Sequence, residues 1–266
     1  MYKTIIDTIF APRKQAAAQH SKKSHRFFLT LLSSCAVLVL TMGILVSCDD
    51  GAVDETVSFS QEGRTVKLTA SVTGLETWPT SLYVALAAFD QESNYAITSR
   101  RITSGDGSLS LVLTGISDEA TSVELCVLNN LRQRVATFAK IEGQQLQTET
   151  DTIPFNAGDI SLSMLSAIQT AVFNTTCIGC HGENGSAAAG LFLTEGRSHE
   201  SLVGKTSRRV AEKMLVQPYN GEESVLYEVL TTDLSKGWHY DHTGEILDQN
   251  RRQLILEWIN NGAQDN

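Results

Sequence analysis

Residues 177–181 read Cys-Ile-Gly-Cys-His, and no other stretch of the chain restricts its surroundings as tightly. Residues three apart on a helix share a face. The spacing therefore sets two thiols one turn apart, with an imidazole immediately after them. C-x-x-C-H is the attachment spacing for a c-type haem. The two thiols add across the two vinyl groups of the macrocycle, and the next residue turns its imidazole to the iron. Cys177 and Cys180 are thus candidate attachment residues for one covalent haem, and His181 is the candidate proximal iron ligand. Other chemistries also use paired cysteines. A thioredoxin-like redox pair expects a βαβ setting, whereas the flanks here read as helix and loop. A structural zinc site takes four ligands, and no second C-x-x-C or H-x-x-x-H pair is present. A plain disulfide leaves the adjacent histidine without a role.

The remaining cysteines read differently. Residues 1–26 hold six basic side chains and one acid, and residues 27–46 then carry no charge. A basic stretch ahead of an apolar run is an export signal or a membrane anchor. The run ends in Leu45-Val46-Ser47-Cys48, which resembles a bacterial lipobox. That resemblance implies lipidation of Cys48 as the mature N-terminus after loss of residues 1–47. The acids Asp49, Asp50, Asp54 and Glu55 follow at once and resemble the export signal of Bacteroidetes surface lipoproteins. An uncleaved transmembrane helix is the other reading. Both hold the body outside the cytoplasm, at the outer membrane or cell surface in the lipoprotein case. Cys35 lies inside the apolar run and Cys126 in the apolar phase of a strand, where a buried thiol is expected.

Residues 48–55 read as an acidic tether and 56–143 as strands. Thr56–Ser60, Thr65–Ala70, Ser81–Phe89, Ser108–Leu113, Val123–Leu128 and Val135–Ile141 alternate or run apolar between turn residues. This predicts an all-β, immunoglobulin-like sandwich. Residues 144–161, rich in Gln, Thr and Asp, read as a linker. From 162 the period becomes helical. Leu162, Leu165, Ile168, Val172 and Phe173 form one stripe, Glu223–Leu230 a second, and Leu254, Ile255, Trp258 and Ile259 a third behind Asp248 as N-cap. The expected fold is multidomain, with the sandwich followed by an all-α body over 162–266.

Within that body, Ala189-Gly190-Leu191 with Leu193, Leu202-Val203, Glu223-Ser224 with Leu226, and Trp258-Ile259 with Gly262-Ala263 follow the C-x-x-C-H motif. Together they resemble a bacterial cytochrome c domain family over residues 160–266. The resemblance implies a cytochrome c-like fold, its first and last helices packed beside the haem. Such proteins usually place a methionine before the last helix. The loop here reads Lys236-Gly237-Trp238-His239-Tyr240-Asp241-His242 and holds none. Bis-histidine ligation is therefore expected, with His242 ranked over His239 as the distal metal ligand. A five-coordinate iron, or Met214, is the alternative. Pro218 is a candidate carbonyl acceptor for the proximal imidazole, and Trp238 and Tyr240 are candidates to pack on the macrocycle or to donate to a propionate.

The chain carries 21 basic and 30 acidic residues, a net charge of -9, which argues against a nucleic-acid partner. Loss of residues 1–47 leaves 15 basic and 29 acidic residues, or -14. An acidic body steers toward basic docking faces on redox protein partners. The functional expectation is a membrane-tethered electron carrier. The alternatives are a haem enzyme or gas or peroxide sensor with an open iron, and a surface binding protein whose sandwich does the work.

Overall fold

The structure is a computed structural model, which describes residues 63–75, 78–103, 105–147, 151–182, 187–238 and 240–265. The lipobox with Cys48, Cys35, the strand expected over Thr56–Ser60, and His239 lie outside the described residues. So does the side chain of Trp238. Among the described residues no helix is long and apolar enough to cross a membrane.

Among the described residues seven strands form two sheets: β1 Arg64–Thr73, β2 Leu82–Phe89, β3 Thr98–Arg101, β4 Gly107–Ile116, β5 Ser122–Asn129, β6 Arg134–Glu142 and β7 Ile153–Ser161. The first sheet has the order β4-β1-β7 and the second β3-β2-β5-β6. Side chains two apart along a strand share a face. Val84, Leu86 and Ala88 of β2 and Val123 and Leu125 of β5 pack on Val66, Leu68, Val72, Leu109 and Leu113 of the first sheet. The opposite face of the second sheet buries Ala85, Ala87, Phe89, Cys126 and Leu128. Glu124 is also buried there, and it is fully paired. It accepts from Ser122 Oγ at 2.9 Å, Arg134 Nη1 at 2.6 Å and Thr137 Oγ1 at 2.6 Å. A buried carboxylate without such partners would be costly.

β7 occupies much of the stretch read as linker. It pairs parallel to β1, with Leu68 opposite Phe155 and Val72 opposite Ile160. Pro154 is tolerated because β7 is an edge strand, where a missing N–H need not meet a neighbour. The register shifts near Gly158, whose φ of +67° marks the irregularity.

The helical stretches are short. α1 spans Met164–Ile168 and runs on as a π-helical segment, Gln169–Cys177. α2 is Ile178–His181, α3 Ser198–Leu202, α4 Val225–Thr231, α5 Ser235–Trp238 and α6 Gln249–Asn260. Caps set two of these starts. The Ser163 hydroxyl accepts from Ser166 N at 3.1 Å, and the Asp248 carboxylate accepts from Asn250 N at 2.9 Å.

These helices do not form a separate all-α domain, and the expected sandwich-plus-cytochrome arrangement is corrected to a mixed α/β fold. Ser60–Asn266 is one compact unit. The physical reason is a shared sheet face. Leu82 and Val127 continue the inner face of β2 and β5 beyond the first sheet. With Val135 and Ala136 of β6 they join one core with Ile168, Val172, Phe173, Leu254, Ile255 and Trp258. Leu162, read as the start of the helical stripe, instead belongs to the core between the sheets. Polar ties support the junction: Ser81 Oγ donates to Glu257 at 3.1 Å and Asn129 Nδ2 to Asn250 at 3.1 Å.

Trp258→Ala removes a side chain that is 1% exposed from the helical side of this core. The expected cost is about 3–5 kcal/mol. In urea, far-UV circular dichroism and tryptophan fluorescence are expected to shift together in one transition. A sheet signal that keeps its original midpoint in the variant would show an independent sandwich.

Candidate functional site

The π-helical segment leads directly into the motif. π-helices are rare and often sit at functional sites. Here the segment buries Val172 and Phe173 against the core and leaves Cys177 half-buried and Cys180 exposed at its end. A buried amide locks its start. Gln169 Nε2 donates to Leu193 O at 2.9 Å and to Asn174 Oδ1 at 2.7 Å, and its Oε1 accepts from Ser198 Oγ at 2.7 Å. That network ties the motif to the following loop and to α3.

A cavity of about 770 Å³ opens beside the motif. That volume lies within the usual range of about 300–1,000 Å³ for cofactor sites. Its wall is apolar at Val172, Phe173, Leu191, Leu193, Leu202, Leu226, Val229 and Ile255, and Cys177, Cys180, His181, Tyr240 and His242 line it as well. Arg197, Lys205, Arg208 and Arg209 contribute four cations, against Glu200 and Glu245. The cavity is thus cationic in a chain of net charge -9. Arg208 Nη1 donates to Ala189 O at 3.3 Å, beside Gly190, which has a φ of +68°.

His181 Nδ1 lies 3.1 Å from Ala188 O. A carbonyl accepts only, so Nδ1 carries the proton and Nε2 keeps its lone pair for a metal. Ala188, and not Pro218, supplies this carbonyl. Burial pushes the His181 pKa down, opposed by backbone hydrogen bonding to Ala188 and Leu191 and helped by the nearby His242. Burial favours the neutral imidazole, the form that ligates a metal, and the Ala188 carbonyl fixes its tautomer. Burial pushes the Cys177 thiol up to about 11, with the Glu245 carboxylate adding to it. Cys126, fully buried, is pushed well above the ordinary thiol range by burial and by Glu124.

The structure brings His242 across from His181. The ring centroids are 6.4 Å apart and the planes 26° from parallel. Imidazole nitrogens bind first-row metals at about 2.0–2.1 Å, and this separation leaves both rings within reach of one metal-centred group. Tyr240 presents its ring edge to His242 at 4.9 Å and 77°, and its hydroxyl donates to Glu245 Oε1. That carboxylate pushes the phenol pKa up. Met214 is partly exposed and does not line the cavity. His199 is engaged elsewhere: its Nε2 lies 2.8 Å from Ala263 O and its ring meets Trp258 edge-on.

Among the described residues no group of three or more His, Cys, Asp or Glu side chains is placed to hold a bare metal ion. A haem asks less of the protein, because the macrocycle supplies four nitrogens and the chain only the axial ligands. The residues present fit such a group on four counts. Two free thiols stand at the cavity wall, one imidazole has its tautomer set, a second faces it, and the cationic lining suits two carboxylates. The Ala188 carbonyl and the cationic lining were not anticipated from sequence. The Lys205, Arg208 and Arg209 cluster in an otherwise acidic segment was the available signal for the lining.

No protein-family model matches this chain, and neither a curated protein nor a solved structure is similar to it. The resemblance to the cytochrome c domain family is therefore corrected. No family match supports it, and residues 162–266 form short helices built onto a sheet instead of an all-α domain.

The site makes a reactivity prediction for the haem-free protein. At pH 8 a thiol with a pKa of about 11 is thiolate in only about one molecule in a thousand. Iodoacetamide followed by peptide mass spectrometry is expected to label exposed Cys180 first, with Cys177 and Cys126 lagging. Equal labelling of Cys126 and Cys180 would contradict the burial described.

Proposed function

We propose that this protein is a membrane-tethered electron carrier that holds one covalent haem. The observation that carries the reading is the opposed pair His181 and His242 at a cavity lined by two free thiols. Cys177 and Cys180 hold the group through thioether bonds. His181 is the proximal ligand, oriented by the Ala188 carbonyl, and His242 is the distal ligand. Arg197, Lys205, Arg208 and Arg209 balance the carboxylates of the macrocycle. The bound group supplies a one-electron iron couple, and a second imidazole in place of methionine lowers its potential. The apolar wall limits water at the iron and so reduces the rearrangement that accompanies each electron. With His181 and His242 both engaged, the site would favour electron transfer over small-ligand chemistry. Cys48, lipidated after export, is the proposed tether, which places the acidic body outside the cytoplasm facing redox proteins with basic docking surfaces.

Expression of the full chain in a bacterial host with export and haem-attachment machinery tests this reading. Haem staining after denaturing electrophoresis is expected for the wild type and absent from the double variant Cys177→Ala/Cys180→Ala. The reduced wild type is expected to exclude carbon monoxide, and His242→Ala to bind it. A wild-type protein without covalent haem would overturn the proposal. Carbon monoxide binding by the wild type would transfer it to a ligand-binding function.

A further inference from the structure

The loop that carries His242 is closed on itself around that residue. Tyr240 is about half exposed, so burial alone does not explain an aromatic side chain there. Its hydroxyl instead reaches across five residues to donate to Glu245 Oε1. Within that closure, Asp241 Oδ1 accepts from Thr243 N at 2.9 Å and from Thr243 Oγ1 at 2.8 Å, an Asx-type turn. Glu245 N donates to His242 O at 3.1 Å. Beyond it, Ile246 is buried and Asp248 caps α6, so the far end of the loop is anchored. The Tyr240 ring lies edge-on to the imidazole, an arrangement aromatic rings prefer.

From this geometry we infer that Tyr240 is a positioning residue: bridged to Glu245, it braces the His242 imidazole opposite His181. The inference rests on the haem reading above and adds to it the device that keeps the distal ligand in line. A ligand on a loop is useful only when its neighbours fix its rotamer and direction. Tyr240 does both, because one side chain contacts the ring and also closes the loop that bears it. Without the brace, the loop would sample conformations that turn His242 away from His181 and would admit small ligands to the site.

The test uses the full haem-loaded chain, with cyanide as the probe. The measured quantities are the rate of cyanide binding to the oxidised protein and the high-spin fraction by electron paramagnetic resonance. Tyr240→Phe keeps the ring and removes the bridge, and Glu245→Ala removes it from the other end. Both are expected to raise the cyanide rate roughly tenfold and to introduce a high-spin signal, each read per haem. Glu245→Gln keeps an acceptor oxygen and is expected to return the rate toward wild type. A wild-type rate and spectrum in both Tyr240→Phe and Glu245→Ala would overturn the positioning role while leaving bis-histidine ligation intact. A wild-type protein already high spin would overturn that ligation, and the positioning role with it.

Discussion

The inner face of β2, β5 and β6 is the constraint from which the cavity follows. Its upper part packs on the first sheet through Val84, Leu86 and Val123, and its end packs on the helical segments through Leu82, Val127, Val135 and Ala136. One continuous surface thus orients both halves of the unit. Ile168, Val172 and Phe173 seat the segment that ends at Cys177, and Ile255 and Trp258 seat α6 behind the His242 loop. The two imidazoles come from positions 61 residues apart in sequence, and they come together because both stretches are referenced to this face.

On that frame the chemistry is arranged by small, local terms. One backbone carbonyl selects the tautomer of His181. Burial keeps the same ring neutral and holds the Cys177 thiol protonated at ordinary pH. A buried glutamine uses both of its N–H donors and its carbonyl oxygen while pinning the motif segment to Leu193 and Ser198. None of these interactions is large alone, since a net hydrogen bond contributes about 0.5–1.5 kcal/mol. Their value lies in removing alternatives: the wrong tautomer, a wandering loop, a charged ligand.

Much of the strand set was legible because its burial is one-sided. β1 and β4 alternate, and β2 and β5 read as dense apolar runs because both of their faces are covered. β7 was not legible, since Pro154, Gly158 and Asp159 are turn signals that an edge strand nevertheless tolerates. β3, Thr98–Arg101, is short and polar for the same reason. α4 and α6 could be found from their stripes and, for α6, from Asp248. What those stripes pack against could not, because a helical period records that a face is apolar and not whether its partner is a helix or a sheet. The all-α expectation failed on that point. At the site, the C-x-x-C-H spacing and the loop without a methionine singled out Cys177, Cys180, His181 and His242, which the structure gathers at one cavity. The Ala188 carbonyl left no trace, because any residue supplies a backbone oxygen.

The most direct test of the central claim is the iron coordination itself. X-ray absorption at the iron edge of the purified, oxidised full chain reads the number and kind of atoms around the metal. Two axial imidazoles predict six nitrogen neighbours and no sulfur. A sulfur neighbour, a five-coordinate iron, or protein that carries no iron after passage through a haem-attaching host would contradict the account.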